Sequence, residues 1–136
     1  MKRYSKIILA VLVITSLTVF LTACGSKGAT DGATYKDGTY TGEGEKREFG
    51  YEVAEVTIKD GKISDVVLKR MNPDGTEVNY DEWTGEDDKP NLKQFREDVA
   101  KEMIEKQSYE VDAIATATQT SEGWKEAAKN ALEQAK

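Results

Sequence analysis

The sequence predicts a small α+β domain in which an antiparallel sheet, built from N-terminal β-hairpin strands, packs against two amphipathic helices. Two observations predict this fold class. In the first half of the domain, β-branched and aromatic runs are separated by Asp-Gly turns, which is typical of hairpins. In the second half, apolar residues recur at helical spacing in two separate stretches. We therefore expect the strands to come first and the two helices to follow.

The strand assignments begin at residue 38. Residues 38–42 follow the turn pair Asp37-Gly38, and residues 51–58 and 62–70 flank a second pair, Asp60-Gly61. An Asp-Gly pair between two Val/Ile-rich runs is a strong hairpin signal, because a type I′ turn requires positive φ at both central residues. These residues are therefore predicted to form a strand followed by a tight hairpin.

The hairpin turn also predicts which side chains share a face of the sheet. With a two-residue turn, Ile58 is expected to face Ile63, and Ala54 is expected to face Val67, on one side of the ladder. Two further apolar residues of the second strand then point to the opposite side, namely Val66 and Leu68. The sequence therefore predicts that this strand is buried on both sides.

Residues 71–90 lose all periodicity and are predicted to form a long loop, of a kind that is often functional. The acidic run Glu86-Asp87-Asp88 could chelate Ca²⁺, but its spacing does not match the alternating ligands of an EF-hand. We therefore interpret the run as a solvated acidic loop and predict no metal site.

The first helix is predicted to begin after Asn91, an N-cap residue with Gln94 three positions later as in a capping box. It is expected to run for roughly 14 residues and to end near Gln107-Ser108. Its apolar stripe packs on the core and comprises Leu92, Phe95, Val99, Met103 and Ile104.

The second helix follows a stretch of small and hydroxyl-bearing residues, 111–121, with Thr120 or Ser121 as its expected N-cap. Its apolar face is predicted to contain Trp124, Ala127, Ala128, Ala131, Leu132 and Ala135. Hydroxyls at a helix N-terminus favour anions, so this turn is a candidate phosphate site. The alternative is that Thr120 and Ser121 cap the helix and do nothing more.

The composition excludes several kinds of chemistry. The 136 residues include no His and one Cys, so there is no imidazole base or ligand, no internal disulfide and no cysteine cluster for zinc or iron–sulfur. Catalysis by a Ser-His-Asp or Cys-His arrangement is therefore excluded.

The N-terminal residues have the pattern of an export signal. Lys2, Arg3 and Lys6 precede an apolar run of 14 residues, 7–20, which is too short for a membrane span and typical of a signal peptide. The next residues, Leu21-Thr22-Ala23-Cys24, resemble the lipobox of bacterial lipoproteins. That resemblance implies cleavage before Cys24, its lipidation, and a lipid anchor at the extracytoplasmic face of the cell membrane. The alternative is a Cys that merely follows an ordinary cleavage site.

The chain is therefore divided into a signal peptide (1–23), a flexible tether (24–34) and one domain (35–136). Cleavage removes three basic residues and no acidic ones, which changes the net charge from −6 to −9. Such acidity argues against nucleic-acid binding and against electrostatic adhesion to anionic lipid. The lipid is thus expected to hold the protein at the membrane.

Residues 111–121 resemble the signature of FMN-binding domains, which occur in flavin subunits of bacterial sodium-pumping and electron-bifurcating respiratory complexes and in flavin-carrying lipoproteins. The core of that signature is Asp-x-x-Ser/Thr-Gly-Ala-Thr-x-Thr-Ser. In this chain Asp112 matches the Asp, Thr118 matches the Thr that directly follows Ala, and Thr120-Ser121 matches the final Thr-Ser pair. The opening strands are similar as well, so the resemblance covers nearly all of residues 35–135. One departure is that Ala115-Thr116 stands where the family has Ser/Thr-Gly.

The resemblance implies that FMN is the cofactor and that a flavin transferase, using FAD and Mg²⁺, esterifies the Thr118 hydroxyl to the FMN phosphate. Asp112 would orient the loop or assist the transferase. The other site residues would contact phosphate or ribityl oxygens, and they are Thr116, Ala117, Gln119, Thr120 and Ser121. Tyr80 and Trp83 are candidates for a wall against the flavin ring, with packing of the long loop as the equally good alternative.

The implied function is electron relay at the outer face of the membrane, by a carrier rather than a stand-alone enzyme. Because a flavin performs the redox chemistry itself, the protein needs no His, Cys or metal of its own. The electron donor would be a membrane quinol oxidoreductase or another flavoprotein. A flavin-free or noncovalently binding surface lipoprotein, acting as a binding or antigenic module, is the alternative that Ala115-Thr116 leaves open. A signalling role of the released signal peptide is a third hypothesis.

Overall fold

A three-stranded antiparallel sheet and two α-helices make up residues 34–136, the part of the chain that this computed structural model describes. The predicted signal peptide, Cys24 and all of the predicted tether except Thr34 lie outside the described residues. Within residues 34–136, no helix is long and apolar enough to span a membrane.

The strands follow one another in the sheet in the order of the sequence. They are β1 (Gly38–Glu43), β2 (Tyr51–Lys59) and β3 (Lys62–Met71), and the helices are α1 (Leu92–Lys106) and α2 (Thr118–Glu133). Helix α2 packs on β1 and β2, and α1 packs on β3, so one face of the sheet is covered by both helices. The predicted α+β class, with an antiparallel sheet against two helices, is confirmed.

The hairpin between β2 and β3 turns at Asp60-Gly61, as predicted. Both residues have positive φ, 54° and 78°, as a type I′ turn requires. The carboxylate of Asp37 accepts hydrogen bonds from the backbone N–H groups of Asp60 (3.1 Å) and Gly61 (2.9 Å). These bonds hold the pKa of Asp37 below its usual value.

The predicted register of this hairpin is wrong beyond its first pairs. Ile58 does pair with Ile63, but a β-bulge follows, so Thr57 pairs with Asp65 and Ala54 pairs with Leu68 instead of Val67. The extra residue is Ser64, whose hydroxyl donates to the Thr57 carbonyl oxygen at 3.2 Å. Because a one-residue slip reverses every side chain, Val66 and Leu68 face the helices, and Val67, on the other side, is 37% exposed.

The core lies between the covered face of the sheet and the two helices. Trp124 of α2 is fully buried there, and its indole N–H donates to the backbone oxygen of Lys69 at 3.0 Å. Gly42 of β1 lies so close to α2 that a Cβ at this position would overlap the backbone of Ala127 and Ala131. The rest of the predicted α2 face is buried as well, namely Ala127, Ala128, Ala131, Leu132 and Ala135.

Helix α1 is formed as the sequence predicts. The side chain of Asn91 caps it by accepting from the backbone N–H of Gln94 at 3.0 Å, and the helix ends at Gln107, which has a left-handed φ of 54°. The predicted stripe packs on the core, with Leu92, Val99 and Met103 buried and Phe95 and Ile104 partly buried.

Helix α2 begins earlier than predicted. Its first residue is Thr118, its N-cap position is Ala117, and no side chain caps it. The predicted N-caps, Thr120 and Ser121, lie inside the first turn instead. A 3₁₀ turn at Ala115–Ala117 leads directly into the helix, so the helix begins before the hydroxyl residues that were expected to cap it.

Candidate functional site

The segment that carries the predicted motif connects α1 to α2 on the surface. Val111 is buried and anchors the segment, Ala115 and Thr116 are exposed, and Ala117 is buried again at the start of α2. Among the described residues, Thr116 is not one of those with positive φ. The chain therefore turns here through a 3₁₀ helix that an L-residue adopts without strain, and no glycine is needed where Thr116 stands.

Thr118 occupies the first position of α2 with its side chain exposed. Its hydroxyl donates to the carbonyl oxygens of Ala115 (3.1 Å) and Ile114 (3.4 Å), which fixes the direction of the hydroxyl at the end of the 3₁₀ turn. A donated hydrogen bond leaves the oxygen lone pairs free. The hydroxyl is thus held in one place and open to solvent.

Ser121 is fully buried one turn further along α2. Its hydroxyl donates to the carbonyl oxygens of Ala117 (2.9 Å) and Thr118 (3.1 Å), and it accepts from the backbone N–H of Ile114 at 3.0 Å. This side chain therefore ties the motif segment to the first turn of α2 and has no exposed face for a ligand.

A surface cleft of about 490 Å³ opens beside Thr118. One wall is a single face of α2, because residues four, seven and eleven positions apart share a face of a helix. That face carries Thr118, Glu122, Lys125 and Lys129, and the remaining lining residues are Gln119, Gly123 and Glu126 of α2, Tyr109 before the motif, and Glu45 and Arg47 between β1 and β2.

Charges of both signs line the cleft. Lys125 pairs with Glu122 at 3.2 Å, and the Glu126 carboxylate accepts from the backbone N–H of Glu45 at 2.8 Å. Lys129 forms no ion pair within residues 34–136. The acidic and basic residues of the lining balance in number, and Lys129 is the cation that an anion could pair with directly.

A buried charge cluster adjoins the cleft through Arg47. Glu52 of β2 is fully buried, and both of its carboxylate oxygens accept from Nη2 of Arg47, at 2.7 and 2.8 Å. Nη1 of Arg70 lies 3.3 Å from the same carboxylate. Burial raises the pKa of Glu52 and lowers that of Arg70, while the two guanidinium groups oppose the rise at Glu52.

Two of the predicted cofactor contacts, Thr118 and Gln119, line the cleft, whereas Ala117 and Ser121 are buried and do not line it. Asp112 and Thr116 are exposed, Thr120 is half-buried, and none of these three lines the cleft. Asp112 makes no hydrogen bond within the described residues, and the charge of its carboxylate acts on Lys106 at the end of α1.

The two aromatic residues predicted to wall the flavin ring lie elsewhere. The Tyr80 hydroxyl accepts from the backbone N–H of Arg70 at 2.7 Å, and the Arg96 guanidinium stacks 4.0 Å above the Tyr80 ring. Burial raises the pKa of Tyr80 to about 12. Trp83 is packed against the core and near Lys89. Both residues pack the long loop onto the domain, which was the alternative interpretation.

Arg47 and its buried partner carry no clear signal in the sequence. Arg47 precedes the hairpin by only a few positions and belongs to no recognisable motif, and Glu52 is one of two acidic residues of β2, with Glu55 as the other. Tyr109 lies three residues before Asp112, and it is the aromatic residue that lines the cleft. The acidic run at Glu86-Asp87-Asp88 belongs to no cluster of metal-ligating side chains in the described part of the chain.

Residues 50–133 match the family model of the FMN-binding domain, which covers β2, β3, both helices and the motif. The chain belongs to the FMN-binding domain family. Its cofactor is therefore FMN.

Two solved structures resemble this FMN-binding domain. A Clostridium perfringens protein known from a crystal structure is 27% identical, with a TM-score of 0.63 over 74% of this chain and 88% of its own. A Clostridium thermocellum protein known from a solution NMR structure is 22% identical, with a TM-score of 0.52 over 74% of this chain and 92% of its own, and this likeness concerns the fold alone. No curated protein matches the chain.

The residues around Thr118 fit the chemistry of FMN. The cofactor combines an anionic phosphate with an aromatic ring system, and the cleft presents Arg47, Lys125 and Lys129 for the first and Tyr109 for the second. The cleft is open to solvent on the side of the exposed Thr118 hydroxyl. These features form a coherent site for a surface-bound flavin.

Proposed function

We propose that the protein is a membrane-anchored extracytoplasmic carrier of FMN, attached through a phosphoester at Thr118, which relays electrons at the outer face of the cytoplasmic membrane. The observation that carries this proposal is the exposed Thr118 hydroxyl, fixed at the start of α2 beside a cleft of about 490 Å³. This position combines the acceptor residue implied by the family motif with room for a cofactor of this kind.

Accessibility of Thr118 supports modification by a flavin transferase. The transferase must bring its own active site to the hydroxyl, and Thr118, Thr116 and Asp112 are all exposed on the same segment. Ser121 holds that segment to α2 by its bond to Ile114, so the acceptor is presented on a rigid turn. We assign Asp112 to recognition by the transferase, because its carboxylate is exposed at the start of the motif.

The cleft residues would hold the attached group. Bound FMN supplies one- and two-electron transfer, so the chain has to bind it, orient it and set its surroundings. Lys125 and Lys129 lie on the same face of α2 as Thr118 and offset the phosphate charge, and the Gln119 amide offers both donor and acceptor to the ribityl oxygens. Tyr109 offers an aromatic surface.

The anchor and the open cleft support a relay function. A lipid on Cys24 would hold the protein at the membrane, and the tether of residues 24–34 would let the domain move away from the membrane surface. A solvent-facing cleft lets donor and acceptor proteins approach the cofactor without a conformational change. We propose a membrane quinol oxidoreductase or another flavoprotein as the electron donor.

The attachment is tested by coexpressing the full chain with a flavin transferase. After denaturation, the wild-type band should show flavin fluorescence and a mass gain of one FMN less water. Thr118→Ala should abolish both, and Thr118→Ser, the matched control, should keep them because it retains a hydroxyl. Fluorescence that survives in Thr118→Ala would place the attachment on another residue, and Thr116→Ala and Thr120→Ala would then identify it.

The flavin-free surface lipoprotein is an outcome of the same test. A colourless protein of unmodified mass would favour it, and colour lost on denaturation would indicate noncovalent binding. The departure at Ala115-Thr116 does not strain the turn, since the 3₁₀ helix forms there without a glycine, and the fluorescence and mass decide between the two interpretations.

A further inference from the structure

Arg47 enters the cleft from the segment between β1 and β2, far from the motif in sequence. We infer that Arg47, held in place by Glu52, donates hydrogen bonds to the phosphate group of FMN at Thr118, in addition to the charges of Lys125 and Lys129. This inference rests on the proposed function and deepens it, since it assigns a binding residue and a positioning residue outside the motif.

Arg47 is fixed in place by its own contacts, before any ligand binds. Its Nη2 donates to both oxygens of the Glu52 carboxylate, at 2.7 and 2.8 Å, and Glu52 is fully buried. The side chain of Arg47 itself is only 26% exposed. An arginine that is already ordered loses little conformational entropy when it binds an anion. Glu52 is therefore a positioning residue.

Arg47 also keeps N–H donors that no group within residues 34–136 uses fully. Nη1 makes one long contact, 3.5 Å to the backbone oxygen of Glu45, and Nε makes no hydrogen bond within residues 34–136. A guanidinium group carries five N–H donors, and two neighbouring ones match the two free oxygens of a phosphodiester. The geometry thus leaves Arg47 able to accept a second anionic partner while it stays paired with Glu52.

Two guanidinium groups compete for one carboxylate in the buried cluster. Arg47 and Arg70 both pair with Glu52. The charge of Glu126 also acts on Glu52, but the Glu126 carboxylate accepts from the backbone N–H of Glu45 and forms no ion pair with Arg47 within residues 34–136. A phosphodiester at Thr118 would give the unused N–H donors of Arg47 a charged acceptor.

The inference is tested by phosphorus NMR of the full chain after coexpression with a flavin transferase. The variant Arg47→Gln should shift the resonance of the attached phosphate away from its wild-type position, towards that of the denatured protein. Arg47→Lys should bring the resonance part of the way back to its wild-type position, because lysine returns the positive charge but not the paired N–H donors of a guanidinium group. Lys101→Gln, which removes one positive charge from α1 outside the cleft, should leave the resonance unchanged.

A second variant distinguishes loss of the phosphate contact from misfolding. Arg47→Gln leaves the buried Glu52 with Arg70 alone, so the double variant R47Q/E52Q removes both charges and keeps an amide pair of similar size. It should show the same shift as Arg47→Gln. A folded, flavin-bearing variant whose phosphorus resonance matches the wild type would overturn the inference.

The other outcomes are equally decisive. An unchanged phosphorus resonance with an altered flavin reduction potential would place Arg47 against the ring and overturn its assignment to the phosphate. A wild-type protein without any phosphorus signal would refute the proposed attachment itself, and it would be recognised before any Arg47 variant is compared.

Discussion

Gly123 of α2 lies directly against the carboxyl group of Glu52 on β2. A Cβ added at Gly123 would overlap that carboxylate and come 2.9 Å from the Cγ of Glu52. The close approach of helix and strand leaves no room for a side chain, and it explains how a fully buried glutamate remains next to the surface cleft. Gly123 thus links the packing of the fold to the charge cluster beside the site.

Gly123→Ala should destabilise the domain by about 1–3 kcal/mol, as overpacking does in a tight core. In an exposed helix position the same change would stabilise by up to about 1 kcal/mol, so the sign of the effect tests the contact with Glu52. Urea denaturation followed by circular dichroism measures it. Glu133→Ala, an exposed change in the same helix, should stay within about 0.5 kcal/mol of the wild type.

The Arg47–Glu52 pair should show strong energetic coupling in a double-mutant cycle of R47Q, E52Q and the double variant. Each single change removes two hydrogen bonds to a buried carboxylate. Breaking a buried ion pair costs about 3–5 kcal/mol when the remaining charge has no other partner, and R47Q should cost less than that because Arg70 stays 3.3 Å from Glu52. The double variant should cost clearly less than the sum. The exposed pair Lys101 and Glu105, 4.0 Å apart on α1, is the control and should couple by about 0.5 kcal/mol or less. Equal coupling in the two pairs would contradict the buried cluster.

Ser121→Ala should destabilise the domain by about 1–3 kcal/mol, because the Ile114 N–H then loses its hydrogen-bond acceptor. It should also lower the fraction of flavinylated protein, since the acceptor turn is no longer tied to α2. Thr116→Ala is the matched control for thermal unfolding, as Thr116 is exposed and makes no hydrogen bond in the described chain. Thermal unfolding and the flavin absorbance per chain are the two readouts. If Ser121→Ala and Thr116→Ala behave alike, the structural role given to Ser121 is wrong.

Asp37 should make stability depend on pH through the hairpin turn. The backbone N–H groups of Gly61 and Asp60 lower its pKa in the folded state, so the unfolded state binds more protons in this range. The stabilisation is therefore complete above the unfolded pKa, about 3.9, and is lost as the pH falls through the folded value. The melting temperatures of wild type and Asp37→Asn should differ at neutral pH and converge in acid. Asp65→Asn, at an exposed position on β3, should show no such convergence.

Local sequence signals predicted much of this fold. The Asp60-Gly61 turn, the Asn91 cap and the apolar stripes depend on neighbouring residues only, and all three are as expected. The bulge at Ser64 was not predictable in the same way, because it is favoured by packing of Val66 and Leu68 against the helices, which is a tertiary effect.

The site was predicted in part, for a similar reason. Thr118 and Gln119 belong to a contiguous motif and line the cleft, whereas Arg47 is brought there by a buried partner on another element. The start of α2 was misplaced because Thr120 and Ser121 look like capping residues, although Ser121 is needed inside the helix to hold Ile114. Long-range ion pairs and hydrogen bonds between side chains and the backbone of this kind produce no periodic pattern in a sequence.

The central claim is that FMN is attached to Thr118, and peptide mapping of the flavinylated protein tests it most directly. Trypsin releases residues 107–125 as one peptide, which contains Thr116, Thr118, Thr120 and Ser121. Mass spectrometry with fragmentation should find one FMN less water on this peptide, located at Thr118. The same mass on a different hydroxyl of the peptide, or a peptide of unmodified mass from protein coexpressed with an active transferase, would contradict the account.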